Sequence, residues 1–91
     1  MNNYRIFETD FFADKLTEFT KQYKNLSLKL KNYVYPQLKE NPHFGKNIKK
    51  LKDYTPDTWR YRIGKFRFFY EVHGKDKIVF MINVDWRKDS Y

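Results

Sequence analysis

The sequence has no cysteine, only three glycines and three prolines, and few acidic residues. Without thiols there are no disulfides, no thiolate zinc sites and no cysteine nucleophile. Three scattered glycines do not make a glycine-rich phosphate loop. No apolar run approaches the roughly 18 residues of a membrane-spanning helix, and the N-terminus lacks the apolar core of a signal peptide. A cytoplasmic protein with no membrane partner is therefore expected. His43 and His73 have no second histidine or carboxylate at ligand spacing, so neither a metal nor a cofactor is expected.

Aromatic rings and positive charge are abundant. Nine Phe, eight Tyr and two Trp bring the aromatic share to 21%, well beyond what a disordered polar chain carries. Large rings are expected to fill the core of one domain spanning residues 1–91. Nineteen Lys and Arg against eleven Asp and Glu leave a formal charge of +8. A small domain this basic repels itself, and a polyanionic partner is the usual compensation. Nucleic acid is the first candidate, ahead of an acidic protein segment and an anionic surface.

Residues 3–8 alternate apolar and polar side chains and predict a short strand. Thr9 or Asp10 can cap a helix carrying Phe11, Phe12, Leu16, Phe19 and Tyr23 at helical spacing. Asn25 interrupts it. Ser27 is positioned to cap a second amphipathic helix with Leu26, Leu30, Tyr33, Val34 and Leu38 on one side. Pro36 predicts a kink or an early end there, and Asn41-Pro42 a stop. The polar segment from Pro42 to Asp57 reads as a loop. Three strands follow, Thr58–Ile63, Phe66–His73 and Lys77–Trp86, joined by turns too short for a parallel crossover. The expected class is α+β in the order β-α-α-β-β-β, with an N-terminal helical hairpin packed on a small, mainly antiparallel sheet.

Strand alternation then sorts the side chains. Trp59, Tyr61 and Ile63 share a face with Phe66, Phe68, Tyr70 and Val72, and with Ile78, Phe80, Ile82 and Val84. The opposite face receives Arg60, Arg62, Arg67, Phe69, Glu71, Asn83, Asp85 and Arg87, together with Val79 and Met81. Between Lys46 and Arg67 stand eight Lys or Arg and two Asp. Guanidinium groups match phosphate geometry and stay charged at any working pH. Phe69 and Trp86 are expected near this surface as rings for base stacking, and Lys50, Lys52 and Lys65 as further RNA-binding cations. Glu71 and Asp85 are expected to pair with neighbouring Arg side chains.

The run Trp59-Arg60-Tyr61-Arg62-Ile63-Gly64-Lys65-Phe66-Arg67-Phe68-Phe69-Tyr70-Glu71-Val72 resembles the central hairpin of the RelE/ParE toxin superfamily. Residues 40–45 and Lys50-Leu51-Lys52 resemble the loop before that hairpin, and residues 84–91 the family's terminal Arg-and-Tyr signature. The resemblance implies a RelE-like fold of the microbial ribonuclease type. It implies the toxin of a type II toxin-antitoxin system, held inactive by a cognate acidic antitoxin in a hetero-oligomer. For the RelE branch it implies metal-free cleavage of mRNA in the ribosomal A site, by attack of a 2′-OH on the adjacent phosphate. Arg60 and Arg62 fall on that branch's basic pair, Arg67 on its hairpin Arg, Arg87 on its C-terminal Arg and Tyr91 on its terminal Tyr.

Clustered guanidiniums suit such a reaction, because they neutralise the pentacoordinate phosphate without a metal. The family pair is commonly Lys, whereas Arg does not give up its proton. The general base is then left among Lys50, Lys52, Lys65, Glu71 and Tyr91. Trp86 stands where some relatives carry His. Two alternatives follow from the same resemblance: a ParE-like inhibitor of DNA gyrase without nuclease activity, and a non-catalytic module that binds an antitoxin or nucleic acid.

Overall fold

The structure, a computed structural model, describes residues 3–86. It has five strands, β1 (Arg5–Glu8), β2 (Ile48–Lys50), β3 (Thr58–Ile63), β4 (Phe66–His73) and β5 (Ile78–Trp86). They form one sheet in the order β1-β5-β4-β3-β2. Strand β1 runs parallel to β5, and every other pair is antiparallel. The parallel pair exists because the helical hairpin carries the chain across one sheet face between the first strand and the other four.

Helix α1 (Asp10–Gln22) starts at Thr9, whose hydroxyl accepts from Phe12 N–H and donates to Met81 O at 2.9 Å. One side chain thus caps the helix and fixes it to β5. The second rod is continuous from α2 (Leu26–Lys29) through a π-helical turn (Leu30–Val34) into α3 (Tyr35–Glu40). Asn25, not Ser27, precedes it, and it makes no side-chain cap. Pro36 neither ends nor shortens the rod. It lies in the first turn of α3, where a missing N–H does least harm, and the wider π turn comes just before it.

One face of the sheet is covered. Phe12, Leu26, Leu30, Val34 and Leu38 from the helices meet Tyr61, Phe66, Phe68, Tyr70, Val79, Met81 and Val84 from the strands, all buried. Of the aromatics expected on the inner sides of the helices, Phe11 and Tyr33 are 62% exposed. Among the described residues, the opposite face of the sheet carries no helix.

Strand β5 departs from the alternation expected of it. Phe69 pairs with Asn83 but Tyr70 pairs with Met81, leaving Ile82 as an extra residue in a β-bulge. The bulge shifts parity by one residue. Val84 points into the core as expected, but N-terminal to the bulge Val79 and Met81 occupy the core instead of Ile78, Phe80 and Ile82. Phe80 and Ile78 turn to the open face beside Phe7, whose ring meets Phe80 edge-on at 5.4 Å. Strand β2, within the segment read as a loop, is the second departure.

Candidate nucleic-acid interface

Residues in register on neighbouring strands point to the same face. Arg62 pairs with Arg67, Arg60 with Phe69, and Lys49 of β2 with Arg60. The open face therefore assembles Lys49, Arg60, Arg62, Arg67 and Phe69. Arg62 N–H donates to Asn47 O at 3.0 Å, away from β4, so Arg62 and Arg67 form a pair of the narrow type, without hydrogen bonds between them. Such pairs bring side chains closest, and two like charges at these positions repel.

The surroundings do little to neutralise this pair. Arg62 is exposed and makes no ion pair among the described residues. Asp85 stands in register with Arg67, yet its carboxylate is held by Lys15 Nζ at 2.9 Å, and the same ammonium donates to Asn83 Oδ1. Arg67 Nε is buried without a hydrogen-bond partner among the described residues. Glu71 is drawn to His73, 3.5 Å away, whose ring packs on Phe80 at 4.7 Å. Asp85, expected to pair with an arginine, is thus held by Lys15, and Glu71 has His73 within reach. At the β2 edge, Lys46, Asn47, Ile48, Arg60, Arg62 and Gly64 line an open cavity of about 320 Å³.

Four residues expected at this surface stand elsewhere. Trp86 pairs in register with Phe66 and stacks on Tyr23 at 6.2 Å, on the helix-covered side. Lys65 lies in the β3–β4 turn with Nζ 6.0 Å from the Trp86 ring. Lys50 pairs in register with Trp59 on the covered side, with Nζ 5.9 Å from its ring and 3.4 Å from Asp57. Lys52 occupies the turn after β2. Arg87 and Tyr91 lie outside the described residues. Lys49 and Lys46 were missed because a three-residue edge strand leaves little alternation to read.

Two tyrosines lock the scaffold beneath. Tyr70 OH donates to Pro42 O at 2.7 Å inside the core, and burial, with Tyr61 nearby, pushes its pKa well above the usual tyrosine value. Tyr35 OH donates to Glu8 Oε2 at 2.5 Å, tying α3 to β1. Burial first, then the Glu8 carboxylate, raise its pKa still further.

The fold is shared with solved toxins. The archaeal RelE of the RelE–RelB complex from Pyrococcus horikoshii OT3 superposes with a TM-score of 0.71 at 22% identity, over 99% of this chain and 100% of that one. The YoeB/ParE toxin from Agrobacterium tumefaciens gives 0.75 at 19% identity, over 92% and 99%. The isolated E. coli RelE toxin gives 0.69 at 25% identity, over 96% and 87%. No curated protein sequence matches the chain. Residues 12–91 match the model of the ParE toxin of type II toxin-antitoxin systems. An α+β sheet with one open basic face, the RelE-type architecture and this match over most of the sequence together make the chain a toxin of a type II toxin-antitoxin system, in the RelE/ParE family.

Proposed function

We propose that the toxin is a metal-free endoribonuclease that cleaves mRNA in the ribosomal A site, and that an acidic antitoxin restrains it. The observation that supports this best is the Arg62–Arg67 pair on the open face, with Arg60 beside it and no carboxylate bridging the two. Like charges in register cost stability, and a bound phosphate turns that repulsion into shared attraction. Attack of a 2′-OH forms an O2′–P bond and releases the 5′ oxygen. The guanidiniums hold the charge that develops on the non-bridging oxygens. Arg87 and Tyr91 complete the set, Tyr91 by stacking on a base or donating the proton to the leaving oxygen. Proton removal from the 2′-OH falls to a group other than these arginines, and Lys49 and Glu71 share their face.

The antitoxin reading draws on the charge of +8 and on the RelE–RelB complex of the archaeal relative. A segment rich in Asp and Glu would cover the open face and neutralise it.

Purified ribosomes translating a defined message provide the test. Addition of the toxin should cut mRNA within the A-site codon, and intact mRNA at saturating toxin refutes the reading. Arg87→Ala and Tyr91→Phe should restore growth of expressing cells while leaving antitoxin binding nearly unchanged. A second reading, inhibition of DNA gyrase by binding, is favoured by the ParE description of the matching family model. Loss of gyrase supercoiling on a plasmid, with mRNA intact, would establish it instead.

A further inference from the structure

We propose that Phe44 is a base-stacking ring, taking a nucleobase of single-stranded RNA whose phosphates occupy the cavity of Lys46, Arg60 and Arg62. The inference rests on the ribonuclease reading and adds to it a contact off the sheet.

Phe44 is 80% exposed, more than any other large apolar side chain among the described residues. It makes no ring contact among them either. The exposure is not that of a loose loop. Pro42 is held through its carbonyl by the buried Tyr70 hydroxyl, and Asn41 Oδ1 accepts from His43 N–H at 3.0 Å. The His43 ring packs edge-on against Trp59 at 5.0 Å. On the other side, Gly45 O accepts from Ile48 N–H at 3.1 Å. Gly45 lies so close to α3 that a Cβ there would sit 1.8 Å from Gln37 Nε2, and Gln37 is itself held by Tyr61 OH at 2.8 Å. Anchored neighbours on both sides hold an apolar ring out in water, where it gains nothing from the protein's own packing.

The chemistry around the ring selects the ligand. Two residues further on, Lys46 begins the basic cavity of about 320 Å³. Two residues span at most about 7 Å, within the reach of one nucleotide from phosphate to base. A solitary ring two residues before a cavity lined by cations fits base stacking combined with backbone neutralisation. Docking of an apolar peptide draws instead on a contiguous patch.

The test is fluorescence anisotropy with a 5′-labelled RNA hexamer and the full-length toxin. F44A should melt with the wild type, because the ring is not packed, and should bind about 5- to 100-fold more weakly, the loss of one base stack. F44W should retain affinity, and F44L should lose it as F44A does, so F44L serves if F44A fails to fold. The salt slope of binding should not change, since no phosphate contact is removed. An abasic hexamer should bind wild type and F44A equally. Equal binding of the intact hexamer by the two proteins overturns the proposal, as does an equal loss on the abasic strand. If the wild type binds no hexamer, the RNA reading fails and this one with it. If F44A keeps its RNA affinity but loses affinity for the co-encoded antitoxin, the ring belongs to protein docking and the proposal is wrong.

Discussion

Replacing Arg62 with Gln should make the free toxin more stable while making it a poorer ligand for RNA. The pair Arg62–Arg67 is narrow and lacks a bridging carboxylate. Guanidiniums extending side by side from such a pair, with their charges about 5 Å apart in a water-like dielectric, repel by about 0.8 kcal/mol. Arg62 is exposed, so Gln keeps what little stem packing it has. For a domain of this size, about 0.8 kcal/mol corresponds to a rise of roughly 3–6 °C in Tm at low salt. At 1 M salt the screening length falls to about 3 Å, and the gain should shrink below about 1 °C. The same substitution should flatten the dependence of log K on log salt for single-stranded RNA by about 0.7. Differential scanning calorimetry at both salt concentrations and a salt titration of oligomer binding read the two halves. R62Q melting at or below the wild type in low salt, or a gain that survives 1 M salt, refutes the electrostatic account. An unchanged salt slope removes Arg62 from the phosphate contacts.

Phe12→Ala deletes a fully buried ring 6.3 Å from that of Phe68 and should cost about 3–5 kcal/mol in denaturant titrations. Tyr70→Phe leaves the buried Pro42 carbonyl without its donor and should cost about 1–3 kcal/mol, read the same way. Both Tyr35 and Tyr70 have folded-state pKa values above the unfolded value near 10. Their contribution is therefore fully present below about pH 10 and lost as pH rises beyond it, since the unfolded chain ionises first. Stability should fall in that alkaline window, and a double Tyr35→Phe, Tyr70→Phe variant should show a flatter profile in pH-dependent melts. Gly45→Ala forces Gln37 off Tyr61 and should lower Tm by a few degrees, costing about 1 kcal/mol or more.

The helical hairpin and the β3–β4 hairpin were legible because local chemistry decides them. Thr9 is a capping residue placed just ahead of an amphipathic run, and Gly64, at φ 58°, takes the left-handed turn position that glycine occupies at least cost. The last strand was legible in its extent but not in its facing. Its residues 78–82 are all apolar, so hydrophobicity does not say which of them look inward, and a one-residue bulge at Ile82 inverts the pattern. Strand β2 was invisible for the opposite reason. Three residues, two of them Lys, gain their strand character from pairing with β3 rather than from any preference of their own.

The candidate site divides along the same line. Arg60, Arg62, Arg67 and Phe69 follow from alternation within two regular strands, and sequence placed them together. Trp86, Lys50 and Lys65 depended on chain proximity to those strands, and each is claimed by something on the other side: the Tyr23 ring, the Trp59 ring with Asp57, and the Trp86 ring. The unneutralised arginine pair was also beyond alternation, because it depends on where Asp85 turns. In register Asp85 belongs to Arg67, but Lys15 of α1 reaches the same carboxylate from the helix layer and holds it at 2.9 Å. The helix layer therefore does more than cover the core. By engaging that acid it keeps the Asp85 carboxylate from the Arg62–Arg67 pair, and the pair keeps its capacity for a polyanion from outside. Lys15→Met should then free Asp85 for Arg67 and weaken RNA binding without touching the open face itself, a loss that oligomer titration would register. Undiminished affinity in that variant would show that Asp85 does not control the charge available to RNA.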